Sequence, residues 1–491
     1  MIRCKVLCQT KLVTIKYHNF FSEKINNKTN NNNKLQQYKY FIQNIYIQKY
    51  IYVKIINTYI YIYIQNIYIY IQINININIY IYTYLYQQIF ANIIIQNTIN
   101  EIFGKNNEIQ LKEFKDLITK VCQLPNILIQ LLFNKIDKQK NDKINKTVFL
   151  NYWKNELQNT SLQQRFFNIL KKQSNDFIER DDFLPLMKVL LETHPGLEFL
   201  KATPEFQERY ADTVIIRIFF IVNRKDDGKI TYKEFKKSNL FQILQQVDTE
   251  EDINKIRDYF SYEHFYVLYC KFWELDQDHD FLINKEEFSR YSGHTLSRKT
   301  VERIFEEIPR QFKSGELQKM GYEDFIWFVL AEEDKTNLTS LQYWFKIIDL
   351  DNNGIITGYE MKEFFEEQRQ RLEYLNHELV YFEDIVCQMV DLLKPEDDIK
   401  FYFYHFKQKQ NLSGVFFNFL TNLNKFVSYE QRDPFNIRNE LNEHPDYSDW
   451  DRFAQNEYLR LAMEEENQEN GEVFNDGNDP WDQETGQENI N

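Results

Sequence analysis

The strongest constraint on what this chain can fold into is the stretch DLDNNGIITGYE, Asp349 to Glu360. Short side-chain oxygens stand at its positions 1, 3, 5 and 9, glycine at 6, an aliphatic residue at 8 and glutamate at 12. Phe345 and Ile348 precede it, four residues and one residue before the loop. Alternating short oxygen groups around a sharp turn, closed by a longer carboxylate from the following helix, surround a hard cation from several sides. A second stretch, LDQDHDFLINKEEF from Leu275 to Phe288, repeats the pattern after Phe272. A chain that repeats this template is committed to helix, loop, helix units, because one such unit cannot bury its apolar face alone.

The template is that of an EF-hand. Its ligand positions predict calcium held by Asp349, Asp351, Asn353, the carbonyl of Ile355, Thr357 and Glu360, with Gly354 at the turn and Ile356 pairing to a partner loop. In the earlier loop the same positions fall on Asp276, Asp278, Asp280, the carbonyl of Leu282, Asn284 and Glu287, with Ile283 eighth. Only Phe281 departs, standing where the turn asks for glycine. A side chain in the left-handed conformation costs roughly 1–2 kcal/mol, so Phe281 is expected to weaken calcium binding without abolishing it, and Phe281→Gly to tighten it.

Other copies of the template are spent. NRKDDGKITYKE, Asn223 to Glu234, has Asn223 first and places the cation of Lys225 in a ligand position. DKQKNDKINKTV, Asp137 to Val148, ends on a valine that cannot close a site. Ile178 to Phe183 follows the same phase without an acidic first residue, and Met320 to Phe325 and Phe401 to Phe406 read as exit halves of two more. All are expected to persist as packing units.

The amino-terminal hundred residues differ in kind. They hold ten Lys and Arg against the single acid Glu23, so with a total of −14 the remainder carries −23. An acidic body argues against nucleic-acid phosphate and favours divalent cations or basic protein surfaces. Between Lys54 and Glu101 there is no charge, and strict alternation from Ile67 to Tyr86 reads as strand by period. Ile-Tyr alternation is also what an AT dinucleotide repeat encodes, so this segment is read as a translated simple repeat or a mistaken gene start, outside the fold. Its asparagines and glutamines argue against a membrane span, and lysines interrupt the first twenty residues too often for a secretory signal. Five cysteines without metal-ligand spacing fit a reducing compartment. No phosphate-cradling glycine loop, G-x-S-x-G, H-E-x-x-H or paired CxxC is present, so nothing in the motifs points to an enzyme.

The sequence between the loops carries a resemblance. THPGLEFLKATPEFQERYADTVIIRIFFIVNR, DYFSYEHFYVLYCKFWELDQDHD, YEDFIWFVLAEEDKTNLTSLQYWFKIIDLDNNG, EQRDPF and SDWDRFAQNEY closely resemble the B-double-prime class of regulatory subunits of protein phosphatase 2A, in order from about Phe114 to Leu461. The resemblance implies a non-catalytic, all-helical subunit that joins the scaffold and catalytic subunits, directs the choice of phosphoprotein substrates and uses calcium in assembly. It implies that the competent loops are those of Asp276 to Glu287 and Asp349 to Glu360, and that a missing glycine in the first is tolerated. The chain departs from the pattern ahead of the first hand, where Ile-Asn-rich sequence replaces an apolar segment containing proline and aromatics. The alternative function is an EF-hand structural protein of the centrosome, basal body or cytoskeleton that acts without a phosphatase.

The expected architecture is an all-α, elongated array of EF-hand-type units. Its parts are a low-complexity segment (1–100), a degenerate hand pair (101–190), a helical linker with a degenerate hand and the first calcium-competent hand (191–300), the second competent hand region (301–410), a helical segment (411–463) and an acidic, disordered tail (464–491). No membrane or nucleic-acid partner is expected, and the expected compartment is the cytoplasm, with the centrosome, basal body and nucleus as further candidates. The aromatic run Phe260 to Trp273 reads as core, His264 as a core or interface residue, His279 as solvated, and Glu332 to Asp334 as a solvated face. Asp449, Trp450, Asp451 and Arg452 are read either as partner contacts or as a helix-end cap.

Overall fold

The structure, a computed structural model, describes residues 32–104, 107–378, 380–397, 399–433 and 442–469. The reading of the first twenty residues, and that of the tail from residue 470 onward, lie outside the described residues. The chain divides into two units after Asn97. The described part of the first unit lies in one helix, α1 (Asn32–Phe103), which runs a few residues into the second.

The strand expected from Ile67 to Tyr86 is therefore helix. A lone strand leaves a row of N–H and C=O groups unpaired, whereas a helix satisfies them within the segment whatever the side-chain period. Among the described residues no strand pairs with this stretch. Its side chains make no core: Tyr80, Tyr82 and Tyr86 are all exposed. No helix among the described residues is long and apolar enough to cross a membrane.

Among its described residues the second unit is mainly helical, with four short antiparallel ladders. β1 (Glu108–Ile109) pairs with β2 (Ile144–Asn145), β3 (Phe177–Ile178) with β4 (Ile230–Thr231), β5 (Leu282–Ile283) with β6 (Met320–Gly321), and β7 (Ile355–Thr357) with β8 (Lys400–Tyr402). The register places eighth-position residues opposite one another: Ile109 and Ile144, Ile178 and Ile230, Ile283 and Met320, Ile356 and Phe401. All of these residues are buried. The thirteenth position is buried in the same way, by Phe114, Phe149, Phe183, Phe235, Phe288, Phe325, Met361 and Phe406. Burying a side chain of this size contributes about 1.5–3 kcal/mol, which a single hand, open on one side, cannot realise.

The template thus yields eight loops among the described residues, joined as consecutive pairs. The helices that position the functional loops are α2 (Pro204–Val222), α3 (Tyr262–Leu275), α4 (Arg298–Phe305), α5 (Tyr322–Glu333), α6 (Leu338–Ile348), α7 (Gly358–Tyr374), α8 (Gln410–Thr421), α9 (Leu423–Glu430) and α10 (Asp449–Glu469). The run Phe260 to Trp273 fills the core as expected, with Phe260, Phe265, Leu268 and Phe272 buried.

Helix α10 packs along α3, and its start forms the expected helix-end cap. Ser448 N–H donates to Asp451 Oδ2 at 2.9 Å and Asp451 N–H to Ser448 Oγ at 3.1 Å, a reciprocal helix cap. Trp450 is buried, and its indole N–H donates to His264 Nδ1 at 3.1 Å. Arg217 donates to the same nitrogen at 2.9 Å. Burial and the Arg217 charge push the His264 pKa well down, so this core histidine is neutral.

The acidic run Glu332 to Asp334 is not a solvated face. Glu332 is buried, and its carboxylate accepts from Lys335 Nζ at 2.6 Å, Asn422 Nδ2 at 2.7 Å and Lys425 Nζ at 2.9 Å. Burial would raise its pKa, but the two ammonium groups outweigh it and hold the carboxyl below its ordinary value. The cluster ties the end of α5 to the α8–α9 junction, which is why a charged run turns inward here.

Candidate calcium loops

The two acidic loops sit in different pairs. Loop 276–287 lies between α3 and a helical turn, Lys285–Phe288, and pairs with the spent loop ahead of α5. Loop 349–360 lies between α6 and α7 and pairs with the spent loop that carries β8. In both, the ninth residue caps the exit helix and the twelfth is its third residue, so one local rule places two ligand positions. Asn284 Oδ1 accepts from Glu287 N–H at 3.0 Å while Glu287 Oε2 accepts from Asn284 N–H at 2.9 Å. Glu360 Oε2 accepts from Thr357 N–H at 2.8 Å, and its Oε1 reaches back to Leu350 N–H at 2.7 Å.

The turns that bring the first residues together need a left-handed residue sixth. Seven of the eight loops have one: Asn107, Asp142, Gly228, Phe281, Gln318, Gly354 and Ile399 all have positive φ, and only two of them are glycine. Phe281, at φ 66°, is held by packing. Its ring lies 5.1 Å from Phe272, 5.8 Å from Tyr322 and 6.1 Å from Trp273, with the Arg209 guanidinium of α2 at 4.2 Å from its centroid. Gly358 serves the second pair in the converse way. A Cβ there would come within 2.6 Å of Ile399, the sixth residue of the partner loop.

Six of the twelve expected ligands gather into two triads. Carboxylate oxygens of Asp276, Asp278 and Glu287 lie within 4.8 Å of one another, as do those of Asp349, Asp351 and Glu360. Asp276 Oδ1 is buried and has no hydrogen-bond partner, while Oδ2 accepts from Phe281 N–H at 3.1 Å. A buried carboxylate oxygen without a partner is costly unless a cation meets it, so the donor set fits a hard divalent ion. Asp349 accepts from Asn353 N–H at 3.1 Å and Gly354 N–H at 2.9 Å. Burial first, and the neighbouring carboxylates second, raise the Asp276 pKa. Asp349 is raised likewise, with its backbone donors opposing.

The remaining side-chain positions are engaged locally. Asp280 accepts from Lys319 Nζ at 2.5 Å, and this contact lowers its pKa. Asn353 donates to Asp351 at 2.7 Å, and Thr357 Oγ1 donates to Glu360 at 2.8 Å. His279 is exposed as expected, its ring 4.6 Å from that of Trp273.

In three spent loops a protein donor stands where an ion would. Asn223 donates its amide to Asp227 Oδ1, at position 5, and to the carbonyl of Lys229, at position 7, both at 2.9 Å. Arg310 donates Nη1 to Asp324, the twelfth residue of the loop ahead of α5, at 2.6 Å, and Nη2 to Glu323 and Nε to Asp226 at 2.8 Å. His405, twelfth in the last loop, contacts Glu396, third, at 2.8 Å. Sequence reasoning missed these donors, and it missed the first loop altogether. The signal for that loop was Ile109, Glu113 and Phe114, the spacing of Ile283, Glu287 and Phe288.

The EF-hand domain family matches residues 162–250, and the EF-hand domain pair family matches 265–366. The second match contains both acidic loops, although each pairs in space with another loop. A probable B''delta regulatory subunit of serine/threonine protein phosphatase 2A from Arabidopsis thaliana is 48% identical over 370 residues, covering 75% of this chain and 69% of its own. The alpha form of the B'' regulatory subunit from Homo sapiens is 42% identical over 351 residues, covering 71% of this chain and 30% of its own. Among solved structures, a chain of a PP2A PR70 holoenzyme matches with a TM-score of 0.50 and 45% identity, over 54% of this chain and 98% of that one.

Proposed function

The chain belongs to the B'' class of regulatory subunits of serine/threonine protein phosphatase 2A, and from that membership we propose a calcium-binding, non-catalytic subunit that joins the phosphatase scaffold and catalytic subunits and directs the holoenzyme to phosphoprotein substrates. The observation that carries this reading is the 48% identity sustained over 370 residues. Catalysis would come from the catalytic subunit.

Asp276, Asp278, Asp280, Asn284 and Glu287, with the Leu282 carbonyl, would hold one calcium ion. Asp349, Asp351, Asn353, Thr357 and Glu360, with the Ile355 carbonyl, would hold the other. Bound calcium supplies positive charge to carboxylates that otherwise repel one another. The residues do the rest: each closing glutamate ties the start of its loop to the cap of its exit helix, so ligation fixes the angle between the two helices. Helices fixed in this way offer partners a defined surface in the cytoplasm.

The test is co-purification of the full chain with the phosphatase scaffold subunit. More scaffold should be retained in calcium than in chelator, and absence of association in both conditions would overturn the reading.

A further inference from the structure

The usual route by which paired hands influence each other is the ladder between their eighth residues. Here that route joins each acidic loop to a spent one, since β5 pairs with β6 and β7 with β8. Any coupling between the two acidic loops has to run elsewhere, and helix α4 is placed to carry it.

α4 is tied to the first loop through that loop's exit turn. Phe288, next to the closing Glu287, packs against Phe305 of α4 with ring centroids 5.4 Å apart. Lys285, tenth in the loop, lies 3.6 Å from Glu302 of α4. The same helix grips both flanks of the second loop. Its first two N–H groups, of Arg298 and Lys299, donate to the Glu367 carboxylate of α7 at 2.5 and 3.2 Å, and Lys299 Nζ donates to Glu363 at 2.8 Å. At its other end Arg303 donates to the carbonyls of Lys346 at 2.9 Å, Ile347 at 3.0 Å and Asp349 at 2.7 Å. These are the orphan carbonyls at the end of α6, which a guanidinium both satisfies and offsets electrostatically. Asp349 is the first ligand position of the second loop, so Arg303 fixes the peptide from which that ligand projects.

We propose that Arg303 is a positioning residue for Asp349 and that α4 couples the two calcium loops, so that ligation at Asp276–Glu287 raises calcium affinity at Asp349–Glu360. The inference rests on the reading of both loops as calcium sites. Its sign follows from the contacts. Closure of Glu287 fixes Phe288 and hence Phe305, and an α4 already fixed has less ordering left to lose when Arg303 and Glu367 hold the flanks of the second loop. Reciprocity requires the same factor in the other direction.

The test is a double-mutant cycle on the full chain, with calcium binding read by calorimetry. In the parent background Asp276→Ala should remove one site and weaken the other by about fivefold or more. In the Arg303→Met background the remaining site should have the same affinity, within about twofold, with or without Asp276→Ala. If Arg303→Met fails to fold by circular dichroism, Glu367→Gln, which releases the other end of α4, takes its place with the same expectation. A remaining site indifferent to Asp276→Ala in the parent would overturn the coupling while leaving two calcium sites. An equal loss in both backgrounds would overturn the role of Arg303. No calcium uptake by the parent would instead sink the calcium reading beneath it.

Discussion

Phe281 reads in the sequence as a defect in an otherwise complete loop. Its surroundings show why a large side chain is kept at φ 66°. The contacts that hold the turn come from Phe272, Trp273, Tyr322 and Arg209, none of them a ligand. The strain, roughly 1–2 kcal/mol, is therefore met by packing and is common to the free and bound loop. This shifts the expectation for Phe281→Gly from affinity to stability. Calorimetry should find calcium affinity at this loop changed by less than about threefold, or roughly 0.6 kcal/mol. Phe281→Ala, which keeps the strain and loses the ring, should lower the Tm below that of either the parent or the glycine variant. An affinity gain of tenfold in Phe281→Gly would mean that the turn forms only on binding. Asn223 makes the complementary case. Its amide serves the oxygens of Asp227 and Lys229, so a carboxylate placed there recreates the demand for an ion. Asn223→Asp combined with Lys225→Asp should add one calcium per chain by calorimetry, and an unchanged stoichiometry would show that the loop is closed for other reasons.

At the scale of elements, the template was legible wherever backbone demands and core packing fall at fixed positions. The eighth and thirteenth residues announced seven of the eight loops, because Ile, Met or Phe there must be buried against a neighbour. The pairing was not legible, since every eighth residue is apolar and any two could meet. Nor was the guanidinium that closes one spent loop, because Arg310 is fourteen residues from Asp324 and eighty-four from Asp226, and no local spacing relates them. The alternation of Ile67 to Tyr86 misled for a related reason: period reports which side chains share a face, whereas a strand also needs a partner edge. Arg310 offers a test at this scale. Its side chain is 6% exposed and serves three carboxylates on two loops. Arg310→Met should destabilise the chain by about 3–5 kcal/mol, the range for breaking a buried pair, as a lower urea midpoint. Arg310→Lys should recover only part of the loss, because an ammonium cannot fork across Asp226, Glu323 and Asp324. Full recovery would reduce Arg310 to a simple positive charge.

Across the whole molecule, the acidic body and the two loops make stability depend on pH and calcium together. Burial raises the carboxyls of Asp276 and Asp349, and nearby carboxylates add to it. The folded chain therefore takes up these two protons at a higher pH than the unfolded chain, and folding gains from them as pH falls toward the ordinary aspartate value of about 4. That gain is lost again as pH rises through the raised values. Calcium needs the same two groups deprotonated, so its stabilising effect has the opposite slope. The Tm difference between calcium-loaded and calcium-depleted chain should therefore shrink steadily as pH is lowered from neutral, partly because the loaded form loses ligand and partly because the depleted form relieves its repulsion. In the calcium-depleted chain, Asp276→Asn with Asp349→Asn should remove the stabilisation gained on acidification through these groups, because an amide neither titrates nor repels its neighbours. A Tm difference that holds constant or widens on acidification would show that the two buried aspartates do not govern the calcium response.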